Sequence, residues 1–278
     1  MKNIFEISLP IIEFKLLIVN EIDEMSFGLK SMFISFKVKE RISISDPYLL
    51  ICNVNNEKCI YWNKKVLYKS YDEKVLLGYI YQMVSYPYCN RDDWMFLHGS
   101  AILYKNSANI FLAKTGMGKT TTVKFLCDNG YEYLSDDLIP INKKKLDVAA
   151  YPLPICSRDN ININMEKNYI PLILNKKNEK EKKYLIHPKR YADIEKTYDI
   201  NAIFILNRSV KTEKVELQKI DGSSAFKTVL NNLSIFCNIS ETGKNLSKIV
   251  KQANVYIINY NNSFEYINMI YKIMKGDT

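Results

Sequence analysis

The feature that most constrains the fold is a glycine-rich motif, AKTGMGKT at residues 113–120, placed between an apolar run and a helical pattern. The apolar residues 110–112 predict a strand before the motif, and residues 120–128 predict a helix after it. Gly116 and Gly118 allow the backbone to turn tightly, so that several N–H groups can converge on one anion at the helix N-terminus. The pattern A-x-x-x-x-G-K-T therefore predicts a phosphate-binding P-loop, in which Ala113 replaces the usual first glycine.

The predicted P-loop assigns contacts to a bound nucleotide. Lys119 is expected on the β- and γ-phosphates, and the Thr120 hydroxyl is expected on a magnesium ion. The predicted nucleotide-binding residues are Ala113, Lys114, Thr115, Gly116, Met117, Gly118, Lys119, Thr120 and Thr121. ATP and Mg²⁺ are the predicted cofactors.

An acidic pair follows the motif. Residues 131–134 predict a short strand that delivers Asp136 and Asp137 to its end, after Asn129-Gly130 has stopped the helix. Two carboxylates at the C-terminal end of a strand beside a P-loop suit two tasks, because one can hold magnesium while the other accepts a proton. A turn or a helix cap is the structural alternative for such a pair.

Histidine is scarce in this chain. The sequence has two histidines, so a metal site built from several histidines is excluded. His98 lies in LHGS, and a partly buried structural histidine is the alternative to a catalytic one. The other histidine, His187, lies in IHPKR with Lys189 and Arg190, for which contact with an acceptor is the preferred interpretation.

Residues 97–141 resemble the catalytic domain of HPr kinase/phosphorylase. They are more similar to the HPr-kinase-like proteins found with biosynthesis of lasso peptides and other ribosomal peptides. In HPr kinases a histidine-glycine pair precedes the P-loop lysine by the separation found in this chain (119 − 98 = 21), and an alanine-aspartate-aspartate follows it at the matching distance (136 − 119 = 17). The resemblance implies a P-loop fold of the HPr kinase and phosphoenolpyruvate carboxykinase type, and a kinase that phosphorylates a serine hydroxyl.

The resemblance also implies roles for single residues. It places His98 in the catalytic cluster with Lys119, makes Asp136 the proton acceptor nearest the substrate hydroxyl, and lets Asp137 support magnesium beside Thr120. A glutamate- and arginine-rich signature follows the acidic pair in HPr kinases, whereas this chain has VAAYPLPICSRDN at residues 148–160, so phosphorolysis of phosphoserine is not implied.

The predicted function is an ATP- and magnesium-dependent serine kinase acting on a ribosomally synthesised, lasso-type precursor peptide. Three alternatives stay open: HPr as the acceptor, a small molecule such as free serine as the acceptor, and a nucleotide-binding regulatory protein without transfer activity. Arg158 is a candidate for phosphate contact and Arg190 for phosphate or acceptor contact, because a guanidinium binds phosphate oxygens in bidentate fashion; a surface arginine is the alternative.

Charge and hydropathy limit the classes of partner that the protein is expected to bind. The 39 basic and 30 acidic residues give a formal net charge of +9, which favours polyphosphates and acidic peptides. The densest basic run, NKKNEKEKKY at residues 175–184, is interleaved with glutamates, which predicts a solvated surface loop, with a mobile lid or peptide contact as the alternative. Neither nucleic acid nor a membrane is an expected partner, since the charge is dispersed and charges and Pro10 break the N-terminal apolar run. A cytoplasmic protein is expected, and homo-oligomerisation stays open.

The organisation predicted is an α/β protein, with a smaller, mostly β unit at residues 1–92 and an HPr-kinase-like P-loop domain at residues 93–278. Predicted strands lie at residues 5–9, 15–19, 31–38, 48–54, 58–62, 110–112, 131–134, 138–141, 146–150, 201–206, 215–220 and 255–260. Predicted helices lie at residues 74–86, 120–128, 221–233, 243–252 and 263–274. Residues 201–206 and 215–220 are expected to be core strands, the PLPICSR segment a loop, and residues 86–94 a connection.

Overall fold

The computed structural model describes residues 3–11, 13–41, 47–85, 93–158, 169–176, 179–209, 212–233, 239–261 and 264–276, and the fold is mixed α/β. The strands are β1 (Asn3–Leu9), β2 (Phe14–Asn20), β3 (Lys37–Glu40), β4 (Tyr48–Val54), β5 (Glu57–Trp62), β6 (Lys65–Ser70), β7 (Trp94–Leu97), β8 (Ser100–Tyr104), β9 (Ser107–Leu112), β10 (Glu132–Ser135), β11 (Ile139–Asn142), β12 (Val148–Ala149), β13 (Ile155–Arg158), β14 (Ile170–Lys176), β15 (Glu179–Ile186), β16 (Thr197–Tyr198), β17 (Ile200–Arg208), β18 (Glu216–Ile220) and β19 (Asn254–Tyr260). The helices are α1 (Asp23–Met32), α2 (Glu73–Ser85), α3 (Lys119–Asp128), α4 (Gly222–Leu230), α5 (Ile239–Gln252) and α6 (Glu265–Lys275). No helix among these residues is long and apolar enough to cross a membrane.

The chain divides into two compact units. The first consists of Met1–Cys89 and Leu153–His187, and the second of Asn90–Pro152 and Pro188–Thr278. A single boundary after residue 92 does not describe this division, because the segment Leu153–His187 groups with the N-terminal residues. That segment forms its own three-stranded sheet, β13-β15-β14, and β14 packs against α2.

The first unit is built on a six-stranded sheet with the order β3-β1-β2-β4-β5-β6. Its neighbours are antiparallel except for the parallel pair β2 and β4. Helix α2 contacts β5, β6 and β14. Its Gly78 lies so close to β14 that an added Cβ would overlap the Ile173 carbonyl oxygen, so this packing requires glycine.

Several predictions in the first unit are confirmed and others are wrong. The strands at 5–9, 15–19, 48–54 and 58–62 and the helix at 74–86 correspond to β1, β2, β4, β5 and α2. The strand predicted at 31–38 is wrong, because α1 runs to Met32 and β3 begins only at Lys37. The PLPICSR loop contains β13, and residues 86–92 of the predicted connection lie outside the described residues.

The predicted surface loop at 175–184 is instead part of an antiparallel hairpin. Strands β14 and β15 pair from Ile170 opposite Leu185 to Lys176 opposite Glu179. Charged side chains can project from a strand whose backbone is paired. Residues 179–184 of β15 are all exposed or half-buried, and only Leu185 and Ile186 in this strand are buried. Interleaved lysines and glutamates therefore mark a charged strand in this segment.

The second unit is built on a six-stranded sheet with the order β10-β8-β9-β17-β19-β18. Strands β9, β17 and β19 are parallel, and β10 runs in the same direction because both β10 and β9 are antiparallel to β8. The last residues of β9, β10, β17 and β19 and the first residue of β8 consequently meet at one edge, called the C-terminal edge. A smaller sheet has the order β16-β12-β11-β7.

Most elements predicted for the second unit are confirmed. Strands β9, β10, β11, β17, β18 and β19 correspond to those predicted at 110–112, 131–134, 138–141, 201–206, 215–220 and 255–260. Helices α3, α4, α5 and α6 correspond to those predicted at 120–128, 221–233, 243–252 and 263–274, and Ser263 lies outside the described residues. The strand at 146–150 shrinks to β12, since Leu146 has φ +65°. Strand β18 is not a core strand, because it lies at the sheet edge with only Ile220 buried.

Candidate active site

The glycine-rich motif connects β9 to α3 at the C-terminal edge, as predicted. Gly116 and Gly118 have φ of +82° and +94°, in the left-handed region that favours glycine. Ala113 is buried and is not among the residues with positive φ, so its methyl group fits the chain at this position. Lys114, Thr115 and Gly116 are exposed. The motif thus presents an open turn that leads directly into the N-terminus of a helix.

Lys119 starts α3 and folds back over the turn. Its side chain is 6% exposed, and Nζ donates to the carbonyl oxygen of Ala113 at 2.7 Å. Burial lowers the pKa of Lys119, while the nearby carboxylates of Asp137 and Asp136 raise it. The ammonium group is therefore held beside the acidic pair before any ligand arrives.

Asp136 follows the last residue of β10 and is 2% exposed. Oδ1 accepts a short hydrogen bond from Ser100 Oγ, at the start of β8, and Oδ2 accepts one from Thr120 Oγ1 at 3.2 Å. Burial, and then the charge of Asp137, raises the pKa of Asp136 to about 7, although the bonds from Ser100 and Thr120 and the charge of Lys119 act in the opposite direction. A carboxyl group that titrates near neutrality is suited to proton transfer.

His98 contacts both the backbone of the acidic pair and the side chain of Lys119. Its Nδ1 lies 3.0 Å from the backbone oxygen of Asp137, and its Nε2 lies 3.5 Å from Lys119 Nζ. Because a carbonyl only accepts and an ammonium group only donates, a neutral imidazole with the proton on Nδ1 satisfies both contacts. Asp137 is half-buried and has φ +69°, in the left-handed region. The contact of His98 with its backbone oxygen therefore stabilises the turn at Asp137.

Gly99 explains how His98 reaches this position. An added Cβ at Gly99 would lie 2.6 Å from Leu112 Cδ2 and 2.8 Å from the Phe111 carbonyl oxygen. Only glycine allows the chain entering β8 to pass so close to β9. The histidine-glycine pair is therefore one structural unit, in which the glycine permits the approach that the histidine uses.

A pair of tyrosines supports the motif from the end of β19. Tyr260 Oη donates to the Met117 carbonyl at 2.7 Å, and its ring stacks on Tyr266 with centroids 4.0 Å apart. Tyr266 Oη lies 2.9 Å from Thr122 Oγ1, within α3. These contacts link the turn to α6, and no sequence pattern indicated them because they join residues more than 140 positions apart in the chain.

Ser100 and Arg208 are further site residues that the sequence prediction omitted. Ser100 stands in the LHGS segment, but its bond to Asp136 depends on the pairing of β10 with β8. Arg208 ends β17 at the C-terminal edge and is exposed. Burial raises the pKa values of Tyr260 and Tyr266, and the charge of Arg208 acts in the opposite direction.

Two other predicted site residues belong to the first unit. Arg158 belongs to the first unit, where its Nε pairs with Glu181 at 2.6 Å. In the same unit, His187 Nε2 lies 2.6 Å from Ser31 Oγ, and burial lowers the pKa of the imidazole.

Lys189 lies near the C-terminal end of α3, and Arg190 lies near the N-terminal end of β10. Lys189 Nζ donates to the Asp128 carbonyl at 3.2 Å, and Arg190 pairs with Glu132 at 3.0 Å. Glu132 starts β10, and Asp136, four positions later, directly follows its last residue. At about 3.3 Å per residue, the ion pair of Arg190 with Glu132 therefore lies roughly 13 Å from the acidic pair. The second unit therefore does not bring these two cations to the C-terminal edge.

The groups at the C-terminal edge are of the chemical types that bind the phosphates of ATP and a magnesium ion. Backbone N–H groups at the start of α3 and the Lys119 ammonium group suit phosphate oxygens. Among the described residues no cluster of three or more His, Cys, Asp or Glu could hold a metal ion. Mg²⁺ commonly takes one or two carboxylates and completes its shell with water and substrate phosphates, and the Thr120 hydroxyl beside Asp136 and Asp137 offers that set.

Comparison with known proteins gives no further assignment. No protein-family model matches this chain, and no curated protein matches it. The similarity of residues 97–141 to HPr kinases therefore stands on the motif spacing alone.

Proposed function

We propose that this protein is an ATP- and magnesium-dependent kinase of the HPr-kinase-like type, which transfers the γ-phosphate to a serine hydroxyl. One observation carries the proposal: the glycine-rich motif and the buried carboxyl group of Asp136 meet at the same edge of one sheet. Thr120 Oγ1 joins them directly, at 3.2 Å from Asp136 Oδ2. A magnesium ligand accounts for one carboxyl group beside the P-loop threonine, and the acidic pair leaves the other aspartate to accept a proton.

The proposed reaction requires little covalent chemistry from the protein. The acceptor oxygen forms a bond to the γ-phosphorus, the bond from phosphorus to the ADP oxygen breaks, and the hydroxyl proton passes to a carboxylate. Lys119 and the backbone N–H groups of the motif hold phosphate oxygens. Magnesium, when bound by Thr120 and one aspartate, would neutralise phosphate charge.

The two aspartates divide the remaining tasks. The resemblance to HPr kinases implies Asp136 as the proton acceptor and Asp137 as the magnesium ligand. One contact favours the reverse, since the Thr120 hydroxyl donates to Asp136, while Asp137 is the more exposed of the pair. Affinity for ATP measured with and without Mg²⁺ separates the two assignments: the variant of the metal ligand loses the magnesium-dependent gain, and the variant of the proton acceptor keeps it.

A ribosomally synthesised precursor peptide is the proposed acceptor. The similarity to the HPr-kinase-like proteins of lasso peptide biosynthesis supports a peptide, and the formal net charge of +9 favours acidic ones. HPr and free serine are the alternative acceptors for the same chemistry. A nucleotide-binding regulatory protein is the alternative without transfer, which the acidic pair disfavours because a site that only binds nucleotide needs no proton acceptor beside the γ-phosphate.

Intact-mass analysis of acceptors tests the proposal. The wild-type protein and Asp136→Asn are incubated with Mg-ATP and, separately, a serine-ending precursor peptide, HPr and free serine. We expect one phosphate adduct on the peptide with the wild type, and a loss of about a hundredfold or more in rate with the variant, as for removal of a catalytic acid or base. Asp128→Asn, an exposed aspartate at the end of α3, is the matched control and should retain transfer.

The possible results discriminate the alternatives. An adduct on HPr or serine alone would keep the kinase and replace the acceptor. Full transfer by Asp136→Asn would refute the role of that carboxyl group. Nucleotide binding with no adduct on any acceptor would favour the regulatory protein.

A further inference from the structure

A second cleft lies in the second unit, between the first turn of α4, one face of α5 and the turn from β11 to β12. Its volume is about 1000 Å³. Among the residues that the structure describes, five lysines line it: Lys143, Lys144, Lys244, Lys248 and Lys251. This cleft, called the lysine cleft, plays no part in the proposed phosphoryl transfer.

The lysine cleft is remote from the glycine-rich motif. Helix α4 begins after β18, whose last residue, Ile220, is paired with Val255 at the start of β19. Helix α5 also ends just before β19 begins. The motif lies instead at the other end of the parallel strands, and β19 has seven residues. At about 3.3 Å per residue, roughly 20 Å of strand separates the two ends.

The walls of the lysine cleft carry an excess of positive charge. Asp93 is the one acidic residue in the described part of the lining, and its Oδ1 pairs with Lys144 Nζ at 3.0 Å. Lys244 and Lys248 lie one turn apart on α5, and both line the cleft. Several ammonium groups around a concave surface repel one another and raise the local concentration of anions. Such a surface suits a ligand with more than one negative charge.

The floor of the lysine cleft is apolar. Phe226 is half-buried, and Val250 is 7% exposed. The neighbouring Asn245, 8% exposed, adds one amide. A nucleic acid base could stack on Phe226, whereas the aliphatic Val250 beside it favours an apolar side chain of a peptide. An acidic peptide offers carboxylates for the rim and an apolar side chain for the floor.

We propose that the lysine cleft is a docking site for an acidic peptide segment that carries an apolar side chain. Lys244 and Lys248 bind the carboxylates, and Phe226 and Val250 contact the apolar side chain. A second copy of this chain fits poorly as the occupant, since a formal net charge of +9 opposes self-association through a basic surface. The docking site does not depend on phosphoryl transfer, because its described lining residues do not include any residue of the candidate active site.

Fluorescence anisotropy tests the docking site directly. The probe is a short fluorescein-labelled peptide of glutamates and aspartates around one phenylalanine, titrated with the whole protein in the absence of nucleotide. We expect saturable binding that weakens with salt. Binding should also weaken when glutamines and asparagines replace the acidic residues, or when glycine replaces the phenylalanine.

A matched pair of charge reversals locates the binding. Lys244→Glu/Lys248→Glu should weaken binding about tenfold or more, because each reversal replaces a weak attraction with repulsion. Lys39→Glu/Lys65→Glu makes the same change in net charge on exposed strand residues of the first unit and should change the affinity less than about twofold. ATP affinity, measured in parallel, confirms that the cleft variant is folded.

Other outcomes would overturn the proposal. Equal weakening by both double variants would mean general charge attraction. A labelled single-stranded oligonucleotide that binds through Lys244 and Lys248 while the peptide does not would make the cleft a nucleic-acid site. Binding of the peptide that is insensitive to its phenylalanine would remove the apolar floor from the interaction.

Discussion

The ammonium group of Lys119 donates to the Ala113 carbonyl and lies beside the carboxylates of Asp136 and Asp137, at the start of α3 where a phosphate is expected. Lys119→Ala removes a charged donor that is worth roughly 1.5–3 kcal/mol, so we expect ATP affinity to fall by about tenfold or more. Calorimetric titration measures it. Lys124→Ala, further along the same helix, should bind ATP like the wild type, and equal affinities for all three proteins would remove Lys119 from the site.

Asp136 makes stability depend on pH. Its pKa is raised from 3.8 to about 7 in the folded protein, chiefly by burial, so the folded state binds the proton more tightly than the unfolded state. The contribution of this proton to stability is complete below about pH 4 and is lost as the pH rises through about 7. Asp136→Asn carries no such charge; its oxygen can accept from Ser100, and its N–H₂ group can donate to the Thr120 hydroxyl oxygen.

Without nucleotide or magnesium, Asp136→Asn should be more stable than the wild type at about pH 8, by on the order of 2–4 kcal/mol. The difference should shrink as the pH is lowered towards about 5. Urea unfolding at several pH values measures it. Asp128→Asn, whose carboxylate is exposed, should show no such trend. A difference for Asp136→Asn that stays constant with pH would mean that burial does not raise the pKa of this carboxyl group.

The chemistry-bearing residues of the site were predictable where their signal is local. The motif and the acidic pair each follow a recognisable strand or helix pattern, and both lie at the C-terminal edge. Ser100 and Arg208 were not predictable in the same way, because their positions follow from the strand order of the sheet. The division of labour between Asp136 and Asp137 stays a prediction, and only the contact with Thr120 bears on it.

At the scale of elements, the turn before α3 is fixed by one close approach. An added Cβ at Gly118 would overlap the Tyr260 hydroxyl, whereas at Gly116 no atom lies within 4 Å. Both glycines have positive φ, so alanine at either position costs about 1 kcal/mol of backbone strain. Only Gly118→Ala adds a steric overlap.

We therefore expect Gly118→Ala to destabilise the protein more than Gly116→Ala. Tyr260→Phe removes the overlapping hydroxyl, so Gly118→Ala should cost less in that background than in the wild type. A double-mutant cycle by urea unfolding gives the coupling energy, which should be about 1 kcal/mol in favour of the double variant. Purely additive costs would mean that backbone strain alone makes Gly118 necessary.

Elements with an apolar pattern were predicted well, and charged ones were not. Helix α2 and strand β4 were found within one residue, because their apolar residues are buried on packed surfaces. The hairpin of β14 and β15 was missed, since its pairing depends on backbone hydrogen bonds that lysines and glutamates do not reveal. Strand β18 was found but placed in the core, although most of its residues are exposed at the sheet edge.

At the scale of the whole molecule, the chain leaves its first unit and later returns to it. Leu153–His187 lies between two parts of the second unit in sequence, yet joins α2 through β14. No change of composition marks Pro152 or Pro188 as a boundary. The segment joins the first unit through the contacts of α2 with β14, among them the close approach of Gly78 to Ile173, and a sequence pattern does not contain such long-range pairing.

The formal net charge of +9 acts over the whole molecule and on every anionic ligand. Attraction at long range raises the rate of encounter, while the contacts made after encounter set the rate of departure. The association rate of a fluorescent ATP analogue, measured by stopped flow, should therefore fall as salt is added, and its dissociation rate should change much less. Lys39→Glu/Lys65→Glu lowers the net charge by four without altering the glycine-rich motif, so it should slow association at low salt and leave dissociation unchanged. If salt acted on dissociation alone, local contacts at Lys119 would account for the attraction and the dispersed lysines would not.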